Sequence, residues 1–147
     1  MIGSYFGKIK DKVLFVVVGG TDEPIASGID DTSRLLGLML SGWNTESLSA
    51  ELCNCVIDIQ KAIENGQPPG EIFDDGLENM NGASMQFLVD GVRMHNEFVR
   101  FSSEIISYIE LLEVLKAWSR YLTNYADGSY VYFGGNLYRH DSQQFSA

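Results

Sequence analysis

Cysteine is nearly missing from this chain. Two are present in 147 residues, Cys53 and Cys55. They stand two apart, which does not suit the C-x-x-C of a dithiol redox pair. Two thiols are also too few for a zinc set. They read as buried or half-buried free thiols, and free thiols without a disulfide framework point to a reducing cytoplasm. Long apolar runs are absent as well. The longest, Val13 to Val18 (VLFVVV), suits a buried strand, and LLGLML is no better able to span a bilayer. A charged, apolar and then small-residue leader is not seen at the N-terminus, so no secretory signal is expected. Histidine occurs twice, at His95 and His140, both at expected turn or terminal-strand positions on the surface. Basic residues are few: no lysine or arginine lies between Lys61 and Arg93.

The length fits one domain with a sizeable core. Apolar residues make up 45% and aromatics 12%, enough to fold. The net charge is −10 and is unevenly spread. From Val13 to Gly91 there are thirteen carboxylates against Arg34 and Lys61 alone. Such a field repels nucleic acid and anionic membrane and attracts cationic partners. The densest stretch is GEIFDDGLENMNG, with Glu71, Asp74, Asp75 and Glu78 within eight residues.

Along the chain, SYFGKIKDKVLFVVVGG predicts one or two strands. Lys8, Lys10 and Lys12 would then line one face of an edge strand and guard it. TDEPIASGIDD, broken by Pro24 and glycines, predicts a loop. DDTSRLLGLMLSGW predicts a short helix capped by Asp30, Asp31 or Thr32. Gly37 weakens it by about 1 kcal/mol relative to alanine. Leu48, Leu52, Cys55, Val56, Ile59 and Ile63 recur at helical spacing, with Asn44 or Thr45 to cap and Gly66 to end the helix. In ASMQFLVDGVRM, Asp90-Gly91 predicts a two-residue hairpin turn. His95-Asn96 reads as a bulge or second turn, and EFVRFS as a continuing or further strand. Ser107 and Glu110 form S-x-x-E, a capping box. It opens a helix whose inward stripe is Leu111, Leu112, Leu115, Trp118 and Leu122, with Val114 and Tyr121 on its flanks. YVYFGGNLYRH predicts a last hairpin turning at Gly134 to Asn136. The fold class is α+β: an antiparallel sheet of hairpins packed on two or three helices in a single domain.

No catalytic motif emerges. An EF-hand frame starting at Asp74 puts Gly76 at position three, Asn79 at six and Met85 at twelve; starting at Asp75 it puts Leu77 at three. Adjacent Asp74 and Asp75 point apart and lack a substrate anchor, so they do not read as an acid–base pair. There is no G-x-S-x-G elbow. VVVGGTDEP has neither phosphate-loop pattern, and Asp22 and Glu23 would oppose a phosphate. No metal, cofactor or enzymatic role is expected. What remains is acid together with aromatics: Trp43, Phe73, Phe87, Tyr125, Tyr130, Tyr132 and Tyr138. Aromatic anchors ringed by charge are what tight protein–protein interfaces use.

The run from ASMQFLVDGVRM to ISYIELLEVLKAWSRYL, about Ala83 to Leu122, is a hairpin and strand followed by a capped helix ending L-x-x-W-x-x-x-L. It resembles the small immunity proteins of bacterial toxin–immunity pairs, including contact-dependent inhibition systems. The resemblance implies a cytoplasmic, non-enzymatic protein that blocks one cognate cationic toxin, commonly a basic nuclease, with no catalytic residues to carry over. The charge pattern agrees, since carboxylates can stand where a nuclease holds phosphates. The expected partner-binding residues are first Glu71, Asp74, Asp75 and Glu78, then Asp22, Glu23, Asp30 and Asp31. The alternative is an acidic secretion chaperone or adaptor that holds an extended partner segment.

Overall fold

A computed structural model describes residues 8–67, 83–99 and 103–139. Among them the chain is α+β, with a four-stranded antiparallel sheet, a two-stranded hairpin and three α-helices. The strands are β1 (Val13–Val18), β2 (Glu23–Gly28), β3 (Ala83–Phe87), β4 (Val92–Asn96), β5 (Tyr130–Phe133) and β6 (Asn136–Arg139). The helices are α1 (Asp31–Ser41), α2 (Glu46–Glu64) and α3 (Tyr108–Asn124). The sheet order is β2-β1-β5-β6.

β1 alternates as a half-buried strand must. Val13 and Phe15 are fully buried, and Leu14 and Val16 are half-exposed. Phe15 is paired across the sheet with Ala26 on one side and Tyr132 on the other, so all three face the core. The expected lysine-guarded edge does not form. Ile9–Lys12 winds into a 3₁₀ turn, and β1 lies inside the sheet. Lys10 reaches Glu113 at 3.5 Å and Lys12 reaches Asp30 at 3.8 Å.

The expected loop TDEPIASGIDD contains an edge strand instead, β2. Pro24 is tolerated because it lies where its missing N–H faces away from β1. Ala26 shares that side: its N–H donates to Ser41 Oγ (2.9 Å), and the same hydroxyl donates to its carbonyl (3.0 Å). α1 therefore closes the sheet edge as it packs on it. Asp30 caps α1, accepting from the Ser33 N–H at 2.9 Å, and Ser33 Oγ accepts from the Asp30 N–H at 3.0 Å. Gly37 is not merely a weak helix former here. A Cβ on it would lie 2.6 Å from Ser27 Cα and 2.8 Å from the Ala26 carbonyl oxygen. Helix propensity alone has Gly37→Ala gaining about 1 kcal/mol, whereas overpacking costs about 1–3 kcal/mol. The variant is expected to be less stable than wild type by about 1 kcal/mol in urea denaturation; a gain in the midpoint would refute the close packing.

Thr45 caps α2, accepting from the Leu48 N–H at 3.2 Å. The buried stripe is Ser49, Leu52, Val56 and Ile59, which rotates Leu48 and Cys55 away from the expected inward set. The reason is the neighbour. Ser49 Oγ meets Ser119 Oγ at 2.5 Å, so α2 turns a small side chain toward α3 at their close approach.

α3 follows its periodicity. Leu111, Leu112, Val114, Leu115, Trp118, Tyr121 and Leu122 are buried, and Glu113, Lys116 and Arg120 are exposed. Ser107 accepts from the Glu110 N–H at 3.3 Å, but Glu110 returns no bond, so only half of the expected capping box forms. Trp118 sits at the centre of the core. Phe15 packs edge-on to it at 4.9 Å and stacks on Tyr132 at 4.5 Å.

The β3–β4 turn falls where expected but is of another kind. Phe87 and Val92 are the last pair, so Leu88 to Gly91 form the loop, closed by the Leu88 N–H on the Gly91 carbonyl (2.8 Å). Asp90 does not take positive φ. His95 is paired in register with Ser84, so there is no bulge. The segment after Asn96 turns instead of continuing as a strand through Glu97–Val99; the rest of EFVRFS lies outside the described residues. The β5–β6 hairpin turns on Gly134 (φ 59°) and Gly135 (φ 84°), as two-residue turns with positive φ require.

Candidate functional site

The two sets of expected partner-binding carboxylates have different standings. Glu71, Asp74, Asp75 and Glu78 lie outside the described residues, as do Phe73 and His140. Asp22 (φ 55°) and Glu23 are exposed at the β1–β2 turn. Asp30 caps α1 and faces Lys12, and Asp31 reaches Arg34 at 3.7 Å. β2 runs between the two pairs, which at about 3.3 Å per residue puts them on the order of 20 Å apart along the strand. They are not one patch. Of the four, Asp22 and Glu23 are the two without an ion pair among the described residues.

Further unpaired acid lies on α2. Glu46, Glu51, Asp58 and Glu64 are exposed, Lys61 is the one base on that helix, and none of the four carboxylates enters an ion pair among the described residues. Their field reaches the thiol between them: burial pushes Cys55 up, and Glu51 and Asp58 push it further. Burial also pushes Cys53 up, with Lys116 opposing. Raised thiol pKa values keep both protonated at neutral pH, the opposite of an activated nucleophile. Both cysteines are free and half-buried.

The aromatic residues also divide. Phe87 and Tyr132 belong to the core. Trp43 is half-buried, and its carbonyl accepts from Trp118 Nε1–H at 3.0 Å. Tyr125 and Tyr130 are half-buried and lie edge to face at 4.8 Å. Tyr138 is exposed on β6. A small cavity of about 200 Å³ lies between α3 and the β5–β6 hairpin, beside Arg120, Tyr121 and Leu137. The Tyr121 hydroxyl is already committed, donating to the Tyr130 carbonyl at 3.0 Å. Burial pushes the Tyr121 pKa up to about 12, with Asp127 adding to it.

The larger concavity is a groove of about 860 Å³ along the outer edge of β2. Glu23, Pro24, Leu38, Gly42, Leu48 and Phe98 are among the residues that line it. Three elements bring its apolar side chains together: Leu38 from α1, Leu48 from α2 and Phe98 from the turn after β4. Phe98 is 75% exposed. The cause is local. Asn96 Oδ1 accepts from the Phe98 N–H at 2.8 Å, an Asx turn that ends β4 and projects the ring outward. One carboxylate lines the groove, Glu23 at the start of β2, and the exposed Asp22 precedes it in the β1–β2 turn.

Neither Phe98 nor the groove was foreseen from the sequence. Phe98 reads there as one more apolar residue of a strand; Asn96 two positions earlier is the signal for a turn. Among the described residues no three His, Cys, Asp or Glu side chains are gathered as metal ligands. No helix among them is long and apolar enough to cross a membrane. No family model, curated protein or solved structure matches the chain.

Proposed function

We propose that this chain is an immunity-type inhibitor that binds one compact basic protein domain, such as a nuclease toxin, along the β2 groove. The supporting observation is a single groove where an exposed apolar anchor, Phe98, lies with Glu23, which like the adjacent Asp22 has no ion pair among the described residues. A ring seated in a partner supplies desolvated contact area. Surrounding charge of one sign steers an oppositely charged partner and fixes its orientation. A carboxylate that is exposed in the complex contributes only about 0.2–1 kcal/mol, whereas a desolvated pair contributes about 1.5–7 kcal/mol. Affinity would rest on a few covered carboxylates, and the α2 acids would mainly raise the association rate.

The test is a calorimetric titration with a compact basic domain, to be sought first in a neighbouring upstream reading frame, whose absence there and from a native-lysate pull-down would count against the proposal. A one-to-one complex is expected, with Phe98→Ala and Glu23→Lys each weakening it about tenfold or more. Charge reversal at Asp74 and Asp75 is expected to weaken it further and to flatten its salt dependence, with the fold intact by circular dichroism. Affinity indifferent to Phe98, to Glu23 and to salt between low and high ionic strength would sink the proposal.

A further inference from the structure

We infer that the part of the basic partner entering the β2 groove is an amphipathic helix, with apolar side chains on Leu38, Leu48 and Phe98 and Lys or Arg toward Glu23 and Asp22. The inference rests on the binding role proposed above and adds to it the docking mode. A strand can join a sheet only by exchanging backbone hydrogen bonds with an open edge. The β2 edge offers few. Successive residues of a strand direct their N–H and C=O groups to opposite sides. Ala26 directs both of its own away from β1, and Ser41 Oγ holds both. Pro24 lies on the same side with no N–H to give. Gly28, the next residue on that side, is crowded by Ser33, against which even a Cβ would collide. An incoming strand would lack partners for its own backbone, and a polar group buried without a partner loses its hydration with nothing in return.

A helix makes no such demand, because its backbone bonds are internal. It asks of a groove only apolar side chains and a rim of the right charge, read at i, i+3, i+4 and i+7 spacing. Leu38 (38% exposed), Leu48 (36%) and Phe98 (75%) supply the first. Glu23 in the groove, with Asp22 beside it in the chain, supplies the second and selects a cationic helix. These two carboxylates also count against a second copy of this chain as occupant, since its net charge is −10.

The experiment is a selection from random 16-residue peptides displayed on phage. They are captured on the immobilised wild-type chain and depleted on a Phe98→Ala, Glu23→Lys double variant. Both positions are exposed, so the variant keeps its fold, which circular dichroism checks. Survivors are expected to be rich in Lys and Arg, with apolar residues at helical spacing. As synthetic peptides they should gain helical ellipticity on mixing and bind the variant at least tenfold more weakly. Basic survivors with alternating apolar residues that stay non-helical would overturn the helix and leave the cationic partner standing. Survivors without excess Lys and Arg would instead sink the proposed function. An absence of survivors sensitive to Phe98 would overturn the groove as the docking site.

Discussion

Trp118→Ala is expected to lower the unfolding free energy by about 3–5 kcal/mol, as removal of a large buried aromatic does. The indole is fully buried and holds three elements together. Its edge-on contact with Phe15 joins α3 to the sheet, and its ring stacks toward Tyr121 at 6.1 Å on its own helix. Its Nε1–H donates to the Trp43 carbonyl at 3.0 Å, which fixes the chain entering α2. Alanine leaves a cavity and an unpartnered carbonyl together. Domains of this size are stable by about 5–15 kcal/mol in all, so the variant should show a much lower urea midpoint and weakened near-ultraviolet dichroism. Trp118→Phe keeps most of the volume and loses the donor, and should fall between the two. A variant within 1 kcal/mol of wild type, a margin set by ordinary surface substitutions of about ±0.5 kcal/mol, would mean that the core is not organised around this ring.

Gly91→Ala is the second large effect, expected near the upper end of the roughly 1–3 kcal/mol that overpacking costs. The sequence assigns Gly91 a turn role, in which asparagine would serve nearly as well. The structure gives it another. Its missing side chain makes room for Ile106, whose carbonyl oxygen a Cβ would overlap. That carbonyl accepts from the Val92 N–H at 2.8 Å, and the Ile106 N–H donates back to Val92 at 2.8 Å. The obstacle is backbone and cannot swing aside as the end of a long side chain can. Alanine and asparagine should therefore be equally damaging, with hydrogen exchange at Val92 and Ile106 accelerated before the rest of the fold. Gly91→Asn with wild-type stability and protection would restore the simple turn role.

Helices α2 and α3 were legible because a period of 3.6 residues is written locally, and burial of one face follows from it. The caps were legible for the same reason, since a side-chain oxygen and an N–H three residues on need no distant partner: Ser107 stood alone, whereas Asp30 was one of three candidates and Thr45 one of two. The last hairpin was marked by two adjacent glycines that accept positive φ. β2 is not legible in the sequence because Pro24 and the glycines break any central strand, and only the sheet order makes Pro24 an edge residue. Leu52, Val56 and Ile59 of the α2 stripe are buried as their spacing predicts, and only its first member shifts, from Leu48 to Ser49, because Ser49 meets Ser119, seventy residues away.

The same division governs the candidate site. The sequence alone established that the chain is strongly acidic between Val13 and Gly91 and carries no recognisable catalytic motif, since both depend only on residue identity and order. Tertiary structure decided where that charge lies. It separated Asp22 and Glu23 from Asp30 and Asp31 by the length of a strand and committed the latter pair to Lys12, Arg34 and a helix cap. It also brought Leu38, Leu48 and Phe98 to one groove from three elements. Coulomb interaction and apolar contact both depend on distance in space, and distance in space is set by which elements pack together.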